Sequence, residues 1–516
     1  MGVKSKISAA HRRFLCLLNW FPSKERSFGL PHLVWSRVPR AVKDIADEIS
    51  RMEVNPEVLR ATLASSALRC FGRVLQRGYV GDLHRLSFPT KRIRCFWSHS
   101  WHASAWMKVL IVFVYYNGGV AIASGTLAAT VAGALFYFEL LPSTQRAFSL
   151  ESEEYAFGPW AFAAGCTVAA LVLFMYRPRN SPIFLDRICI HQTDDDLKTQ
   201  GIMSIGGFLR HSESMLVLFD KTYPTRLWTI FELAAFLRSH EDATERLIIR
   251  PIFLGPAVVF LFLALACFMM GALLVGDEDV TRLYPFLTAL AFLIFVFGGH
   301  ILRSYFREID ECHRRLKSFT LREVSSHCCS VKHLDEDGRA LICDREIITE
   351  CIRSWFGSEE QFEEAVRSQV SNAFVKGVGY FAVPFSWFLG GTTSIMWACM
   401  DLSLARLRAG AYHHALVSAV YGLLGWLGIC GLGYFICLWF VYKLRRRREQ
   451  CLWDYAITVL GTASMLLICM PIHLVYPMLM RLLGDIPGLL VWGLIIAAYV
   501  IVWRWLWLRT TRHVDS

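Results

Sequence analysis

Long apolar runs alternate with short polar segments along most of the chain. A helix that crosses a bilayer needs about 20 mostly apolar residues, so this pattern predicts an α-helical, multi-pass membrane protein. The segments of sufficient length and apolar character number about eight: 118–141, 158–176, 254–276, 282–302, 377–400, 413–441, 453–476 and 486–508.

Some stretches complicate this pattern. Residues 105–116 are also apolar, and we expect an interfacial helix that leads into the first span, with a ninth span as the alternative. The sequence Asn117-Gly118-Gly119 is expected to break the helix at that point. Pro384 and Pro471 fall inside predicted spans, where membrane helices tolerate proline because neighbouring groups satisfy the freed backbone.

Loop charges predict the orientation of the spans. Arginine and lysine cluster in one set of loops and acidic residues in the opposite set, and basic loops stay in the cytosol. Both termini are therefore expected to be cytosolic, and the identity of the membrane stays open. The basic segments are 177–179, 303–307, 443–448 and 504–512, and the acidic ones are 151–154 and 277–279.

Composition supports the membrane class. Hydrophobic residues make up 54% of the chain and charged residues 19%, against about 45–50% and about 25% in soluble domains. The net charge of +11 agrees with the basic loops and with attraction to anionic lipid, so the bilayer is the expected partner and nucleic acid is not. The predicted outer loops carry none of the 16 cysteines, which favours reduced thiols over disulfides.

A soluble-looking α/β stretch, 184–236, lies between the apolar segments. Short apolar strands alternate with helices around it, which predicts a parallel sheet. The predicted strands are 94–97, 182–190, 214–219 and 247–253, and the predicted helices are 197–209 and 226–239. The expected divisions of the chain are a basic, helical cytosolic region (1–94), an α/β module (94–102 plus 182–254), an inserted membrane hairpin (105–176), a second membrane hairpin (254–302), a cysteine-containing cytosolic insert (303–376), a four-span bundle (377–508) and a cytosolic tail (509–516).

The α/β pieces resemble a TIR domain in their order. The family pattern has a strand that ends in a Phe-x-Ser-His-type loop, a strand that ends near an acidic residue, a Trp-Cys-x-x-Glu-Leu-type helix and a further apolar strand. The matching segments are Phe96-Trp97-Ser98-His99-Ser100, Phe184-Leu185-Asp186, Trp228-Thr229-Ile230-Phe231-Glu232-Leu233 and Ile248-Ile249-Arg250-Pro251-Ile252. The likeness covers under a fifth of the chain. Thr229 replaces the family's cysteine, and the hairpin 105–176 replaces its first helix.

The resemblance implies a flavodoxin-like sheet with signalling or self-assembly as its role. In enzymatic members, the glutamate at the position of Glu232 supports cleavage of NAD, where a carboxylate stabilises positive charge on the ribose. The same likeness implies an NAD-binding cleft. Its candidate lining residues are Ser98, His99, Trp101, Asp186 and Trp228. Because a fold does not determine a function, Glu232 is equally compatible with a purely structural role, and scaffolding is the favoured expectation.

Two further site types are weaker expectations. His327, Cys328, Cys329, His333 and Cys343 could ligate zinc, but adjacent cysteines fit the usual spacing poorly, so ordinary thiols and no metal are expected. The stretch 335–338 is predicted to be a hairpin turn and not a calcium loop, since no glutamate closes it twelve residues along.

A channel or transporter is the second functional alternative. Ion-coupled transporters carry buried charge inside the membrane, and the predicted spans hold almost no ionisable residue near their centres. We therefore expect a multi-pass membrane protein for signalling or assembly, with an NAD hydrolase that uses Glu232 as the first alternative.

Overall fold

The computed structural model describes residues 38–76, 82–148, 151–176, 181–274, 277–333, 343–378 and 383–512. This part of the chain is mostly helical and contains a six-stranded mixed sheet and a two-stranded hairpin. The strands are β1 (Arg60–Leu63), β2 (Ser87–Pro89), β3 (Cys95–His99), β4 (Thr144–Phe148), β5 (Glu151–Phe157), β6 (Pro182–Phe184), β7 (Met215–Phe219) and β8 (Leu247–Pro251).

The helices of six or more residues fall before, between and after these strands. They are α1 (Val38–Ser50), α2 (Ala105–Tyr137), α3 (Trp160–Met175), α4 (Asp195–Met203), α5 (Ile205–Arg210), α6 (Leu227–Ser239), α7 (Leu254–Leu274), α8 (Asp277–Lys317), α9 (Asp344–Phe356), α10 (Glu359–Ala365), α11 (Ser371–Val378), α12 (Phe385–Arg408), α13 (Tyr412–Leu424), α14 (Cys430–Lys443), α15 (Cys451–Leu483) and α16 (Asp485–Arg512). A π-helical turn at Gly425–Ile429 joins α13 to α14.

The chain divides into two compact units. The first comprises residues 1–111, 177–253 and 311–378, and the second comprises residues 112–176, 254–310 and 379–516. The six-stranded sheet belongs to the first unit, and the β4–β5 hairpin belongs to the second.

Four strands of the six-stranded sheet run parallel to one another. The strand order is β2-β1-β6-β3-β7-β8. Phe96 on β3 pairs with Phe184 on β6, and β7 pairs in parallel with β3 and with β8. If the four parallel strands β3, β6, β7 and β8 are renumbered 1 to 4 in chain order, their order across the sheet is 2-1-3-4. The two parts of the predicted module, 94–102 and 182–254, thus contribute neighbouring strands to one sheet.

The structure corrects the ends of two predicted strands. Ser98 and His99, expected in a loop, lie on β3. The strand predicted to extend to residue 190 stops at Phe184, and a helical turn follows at Asp186–Cys189. The Asp186 carboxylate accepts a hydrogen bond from the backbone amide of Arg187 at 2.7 Å. Such a local side-chain bond offers the backbone an alternative to strand pairing.

The region 1–94 is not wholly helical, as the sequence had suggested. Strand β1 lies within it and pairs antiparallel with β2 and β6. Ala61 and Thr62 on β1 are fully buried. A short strand here covers the edge of the parallel sheet, which would otherwise expose unpaired backbone groups. Residues 1–37 lie outside the described part.

Within the described residues, five helices are long and apolar enough to cross a membrane, as an integral membrane protein requires. A sixth apolar helix, Trp160–Met175, is shorter. The total of eight spans stays a prediction. The five helical segments are Ala105–Tyr137, Leu254–Leu273, Tyr412–Lys443, Cys451–Ile468 and Ile486–Arg509.

Helix bounds differ from the predicted spans in two places. The Asn117-Gly118-Gly119 sequence does not break α2, which runs unbroken from Ala105. The Asn117 amide instead donates to the carbonyl oxygens of Leu173 and Tyr176 at 2.7 and 3.2 Å. Pro384 lies at the N-cap of α12 and not inside it. The predicted hairpin 105–176 also contains the β4–β5 strands, which its polar loop had not suggested.

Buried charges in the second unit have internal partners. Asp401 on α12 accepts hydrogen bonds from the backbone amides of Ala161 and Phe162 at 2.8 and 2.9 Å, so it caps the start of α3. Arg303 on α8 forms a 2.8 Å ion pair with Asp454 on α15. These carboxylates hold helices together, and capping or pairing offsets their burial.

Candidate functional site

Buried polar side chains collect where β3, β6 and β7 end. The carboxyl ends of parallel strands share one edge of a sheet, and ligands of open α/β sheets bind at this edge. Here β3 supplies Ser98 and His99, Asp186 follows β6, and Asp220 follows β7. Ser98, His99, Asp186 and, on α6, Glu232 are buried, and together with Trp101 they form what we call the sheet-edge cluster.

Glu232 and Ser98 are joined inside the first unit. The Ser98 hydroxyl donates to Glu232 Oε2 at 2.5 Å, and it lies 2.8 Å from the Tyr223 hydroxyl. Glu232 is 5% exposed and Ser98 is 1% exposed. This hydrogen bond joins strand β3 to helix α6, because Ser98 lies on β3 and Glu232 lies on α6.

The environment of Glu232 favours its neutral form. Burial raises the pKa of its carboxyl, the Ser98 hydrogen bond lowers it and the negative charge of Asp186 raises it, and together these effects bring the pKa to about 8. A carboxyl with this pKa is mostly protonated at neutral pH. Perturbed groups of this kind concentrate at functional sites, although structural networks perturb them too.

Trp101 and Asp186 form a second pair in the sheet-edge cluster. The indole nitrogen of Trp101 donates to Asp186 Oδ2 at 3.1 Å. Lys108 Nζ and Arg187 Cζ lie 5.2 and 5.1 Å from the centre of the Trp101 ring, distances at which a cation is attracted to the ring face. Burial raises the pKa of Asp186, and the neighbouring positive charges oppose this shift.

His99 lies beside this pair. Its ring centre is 4.6 Å from that of Trp101, and its Nε2 has no hydrogen-bond partner among the described residues. Burial and the positive charge of Lys108 hold the pKa of His99 well below its ordinary value. The imidazole is therefore neutral at physiological pH.

Sequence reasoning missed Lys108. The apolar surroundings at 105–116 led us to expect an interfacial helix, yet Lys108 is fully buried and Nζ donates to the Ser100 carbonyl oxygen at 3.2 Å. A signal was present, since Lys108 is the only charged residue between 105 and 137. Lone charges in apolar helices usually have a partner or a function.

Trp228 contacts a different part of the first unit from the other candidate lining residues. It lies on α6 with Glu232, and its indole nitrogen donates to Asp344 Oδ2 at 3.4 Å. Burial raises the pKa of the Asp344 carboxyl to about 8. The structure thus brings Ser98, His99, Trp101, Asp186 and Glu232 to one region. The Trp228 side chain instead contacts Asp344, the first residue of α9.

Three cysteines and one histidine of the segment 303–376 converge next to Asp344. Donor atoms of Cys328, Cys329, His333 and Cys343 all lie within 4.8 Å of one another. The side chain of His327 is outside the described part, as is the predicted turn at 335–338. Sequence spacing had argued against this group because two of its cysteines are adjacent.

No protein-family model, curated protein or solved structure matches this chain.

Proposed function

We propose that the chain is a multi-pass membrane protein whose TIR-like cytosolic module works in signalling or assembly at the membrane. The parallel strands in the order 2-1-3-4 support the resemblance, because flavodoxin-like sheets have the order 2-1-3-4-5. The membrane hairpin then interrupts the module between its first and second parallel strands.

The hydrogen bond that Glu232 accepts from Ser98 is the observation that supports a structural role for Glu232. The carboxyl is buried, hydrogen-bonded within the first unit and mostly neutral at pH 7. A neutral carboxyl stabilises a developing positive charge poorly. Glu232 and Trp228 therefore stabilise the interior of the module. The surface of the module then binds partners, including other copies of the chain.

Pull-down between two differently tagged full-length copies, co-expressed and solubilised in mild detergent, tests this proposal. We expect the copies to purify together and Ser98→Ala to reduce their association. The control is Ser214→Ala, whose hydroxyl donates to the Arg94 carbonyl oxygen at an exposed position. Copies that never purify together, or an association that Ser98→Ala leaves unchanged, would contradict the proposal.

Cleavage of NAD is the second candidate, and the sheet-edge cluster is the observation that favours it. Two buried carboxyls, Glu232 and Asp186, lie with buried Lys108 and Arg187 at the carboxyl end of a parallel sheet, the edge at which such sheets bind ligands. In this reaction, water attacks the ribose carbon as its bond to nicotinamide breaks. Nicotinamide leaves with the bonding electron pair, and the water releases one proton.

Incubation of the purified full chain with NAD separates the two candidates. An enzyme releases nicotinamide, Glu232→Gln abolishes the release, and Glu245→Gln at an exposed position preserves it. The absence of NAD consumption, or equal rates in the Glu232→Gln variant, eliminates this candidate and leaves the assembly proposal standing.

A further inference from the structure

The four-residue group in the cytosolic insert has the composition of a zinc site. Cys328, Cys329 and Cys343 offer three sulfur atoms and His333 offers one imidazole nitrogen, all within 4.8 Å of one another. Zinc prefers four such ligands in a tetrahedron, and sites closed by four protein ligands are structural. We propose that these residues bind one Zn²⁺ ion as a structural Cys₃His site.

The sulfur separations fit this geometry. Zn–S bonds of about 2.3 Å in a tetrahedron place the sulfurs about 3.8 Å apart. Cys329 Sγ lies 3.8 Å from Cys343 Sγ and 4.0 Å from Cys328 Sγ. A disulfide requires about 2.05 Å, so none of these contacts is a bond between sulfurs. The adjacency of Cys328 and Cys329, which had argued against zinc, therefore places their sulfurs at a suitable spacing.

Local backbone conformation positions the fourth ligand. Lys332 and His333 have φ angles of 55° and 58°, in the left-handed region that non-glycine residues enter only occasionally. The turn brings the backbone amide of His333 to 2.8 Å from the Cys328 carbonyl oxygen. The chain thus folds back on the cysteine pair, and His333 joins it although three residues separate it from Cys329 in the sequence.

Groups around the cluster suit bound thiolates. The Ser326 hydroxyl lies 2.7 Å from Cys328 Sγ and can donate a hydrogen bond to it; such outer contacts orient metal ligands. Cys343 occupies the N-cap of the 13-residue helix α9, where the helix dipole favours negative charge. Cys328 and Cys343 are buried, so the ion would be largely shielded from water.

Zinc coordination would stabilise the position of α6, the helix that carries Glu232. Ser325, just before the cluster, exchanges backbone hydrogen bonds with Thr225 and Leu227 at 2.7 and 3.1 Å, beside the start of α6. On the other side of the cluster, Asp344 accepts from Trp228 on the same helix. Zinc would therefore join the cysteine turn to α9 and hold both against α6.

Metal analysis of the full-length chain tests the proposal. The protein is purified in detergent under reducing conditions, incubated with Zn²⁺, desalted and analysed by mass spectrometry of its metals. We expect about one zinc per chain, loss of most of it in Cys329→Ser and His333→Ala, and retention in Cys70→Ser, which alters an exposed cysteine outside the cluster.

A second measurement needs no variant and so stays decisive if a substitution prevents folding. Co²⁺ added in place of zinc should give the intense visible absorption of a tetrahedral thiolate site. The proposal is overturned by wild-type protein that holds no zinc after reconstitution and shows no such absorption. It is equally overturned by zinc retained in a folded Cys329→Ser variant, by iron in place of zinc, or by a Cys329–Cys343 disulfide in freshly isolated protein.

Discussion

The Ser98 hydroxyl donates a 2.5 Å hydrogen bond to Glu232 Oε2 across 134 residues of sequence. A membrane-length helix, α2, lies between them in the chain. The bond therefore joins the two separated parts of the α/β module, the first ending near residue 102 and the second beginning near residue 182.

Ser98→Ala should destabilise the chain. The substitution removes the hydroxyl that contacts both Glu232 and Tyr223, and it takes from the buried Glu232 carboxyl its hydrogen bond to Ser98. We expect a loss of about 1–3 kcal/mol in the free energy of unfolding, measured as a lower thermal midpoint in detergent. Ser214→Ala is the matched control, and an equal midpoint in both variants would show that the bond contributes nothing.

Glu232 should make stability fall as pH rises. Its carboxyl has a pKa of about 8 in the folded chain against an ordinary value of 4.5, so between these values the folded state binds the extra proton. The stabilisation is complete below about pH 4.5 and declines until the pH passes about 8. Denaturation at several pH values measures this slope.

Glu232→Gln provides the control for that slope. Glutamine keeps the shape and an acceptor oxygen for Ser98 but has no proton to lose. The variant should show a flatter dependence of stability on pH, whereas Glu245→Gln, at an exposed site, should behave as the wild type. Identical slopes in Glu232→Gln and wild type would assign the pH dependence to other buried carboxyls such as Asp186.

Lys108→Met should also destabilise the chain. The buried ammonium donates to the Ser100 carbonyl oxygen and lies over Trp101. Its positive charge also lowers the pKa values of Asp186 and Asp220, which burial raises. Loss of one partner from a buried charged network costs about 3–5 kcal/mol. Thermal unfolding measures the change, and Lys43→Met at an exposed position should have little effect.

Substitutions of Asp401, in the second unit, should lower the free energy of unfolding by graded amounts. Its two carboxylate oxygens accept from the amides of Ala161 and Phe162 at the start of α3. Asp401→Ala removes both acceptors and should cost about 0.5–2 kcal/mol, typical for a helix cap. Asp401→Asn keeps one oxygen and should lie between alanine and wild type, so an alanine variant as stable as the asparagine variant would refute the capping role.

Sequence patterns predicted the parallel strands and the apolar helices best, because each depends on a local run of residues. Phe96 and Phe184 lie in two of the predicted strands, and they pair with each other in the parallel part of the sheet. Strand β1 was missed because its pairing with β6 depends on residues far away in the chain. The end of β6 was misplaced because a side-chain bond at Asp186 competes with strand pairing.

The candidate site was only partly predictable for the same reason. Ser98, Asp186 and Glu232 were expected from the resemblance, whereas Lys108 lies in an apolar helix and joins these residues only through tertiary packing. The cysteine cluster has the wrong spacing for a familiar zinc motif, and only the fold brings Cys343 to within 3.8 Å of Cys329.

We propose that a cytosolic module is interrupted by a membrane hairpin whose loop faces the opposite side of the membrane. Glycosylation of engineered acceptor sites during translation with microsomes tests this most directly, since only sites on the lumenal side are modified. Leu150→Asn creates an Asn-Glu-Ser acceptor in the predicted outer loop, and Asp242→Asn creates an Asn-Ala-Thr acceptor at an exposed position of the module. We expect glycosylation of the Leu150→Asn variant alone. Glycosylation of Asp242→Asn, or of neither variant, would contradict it.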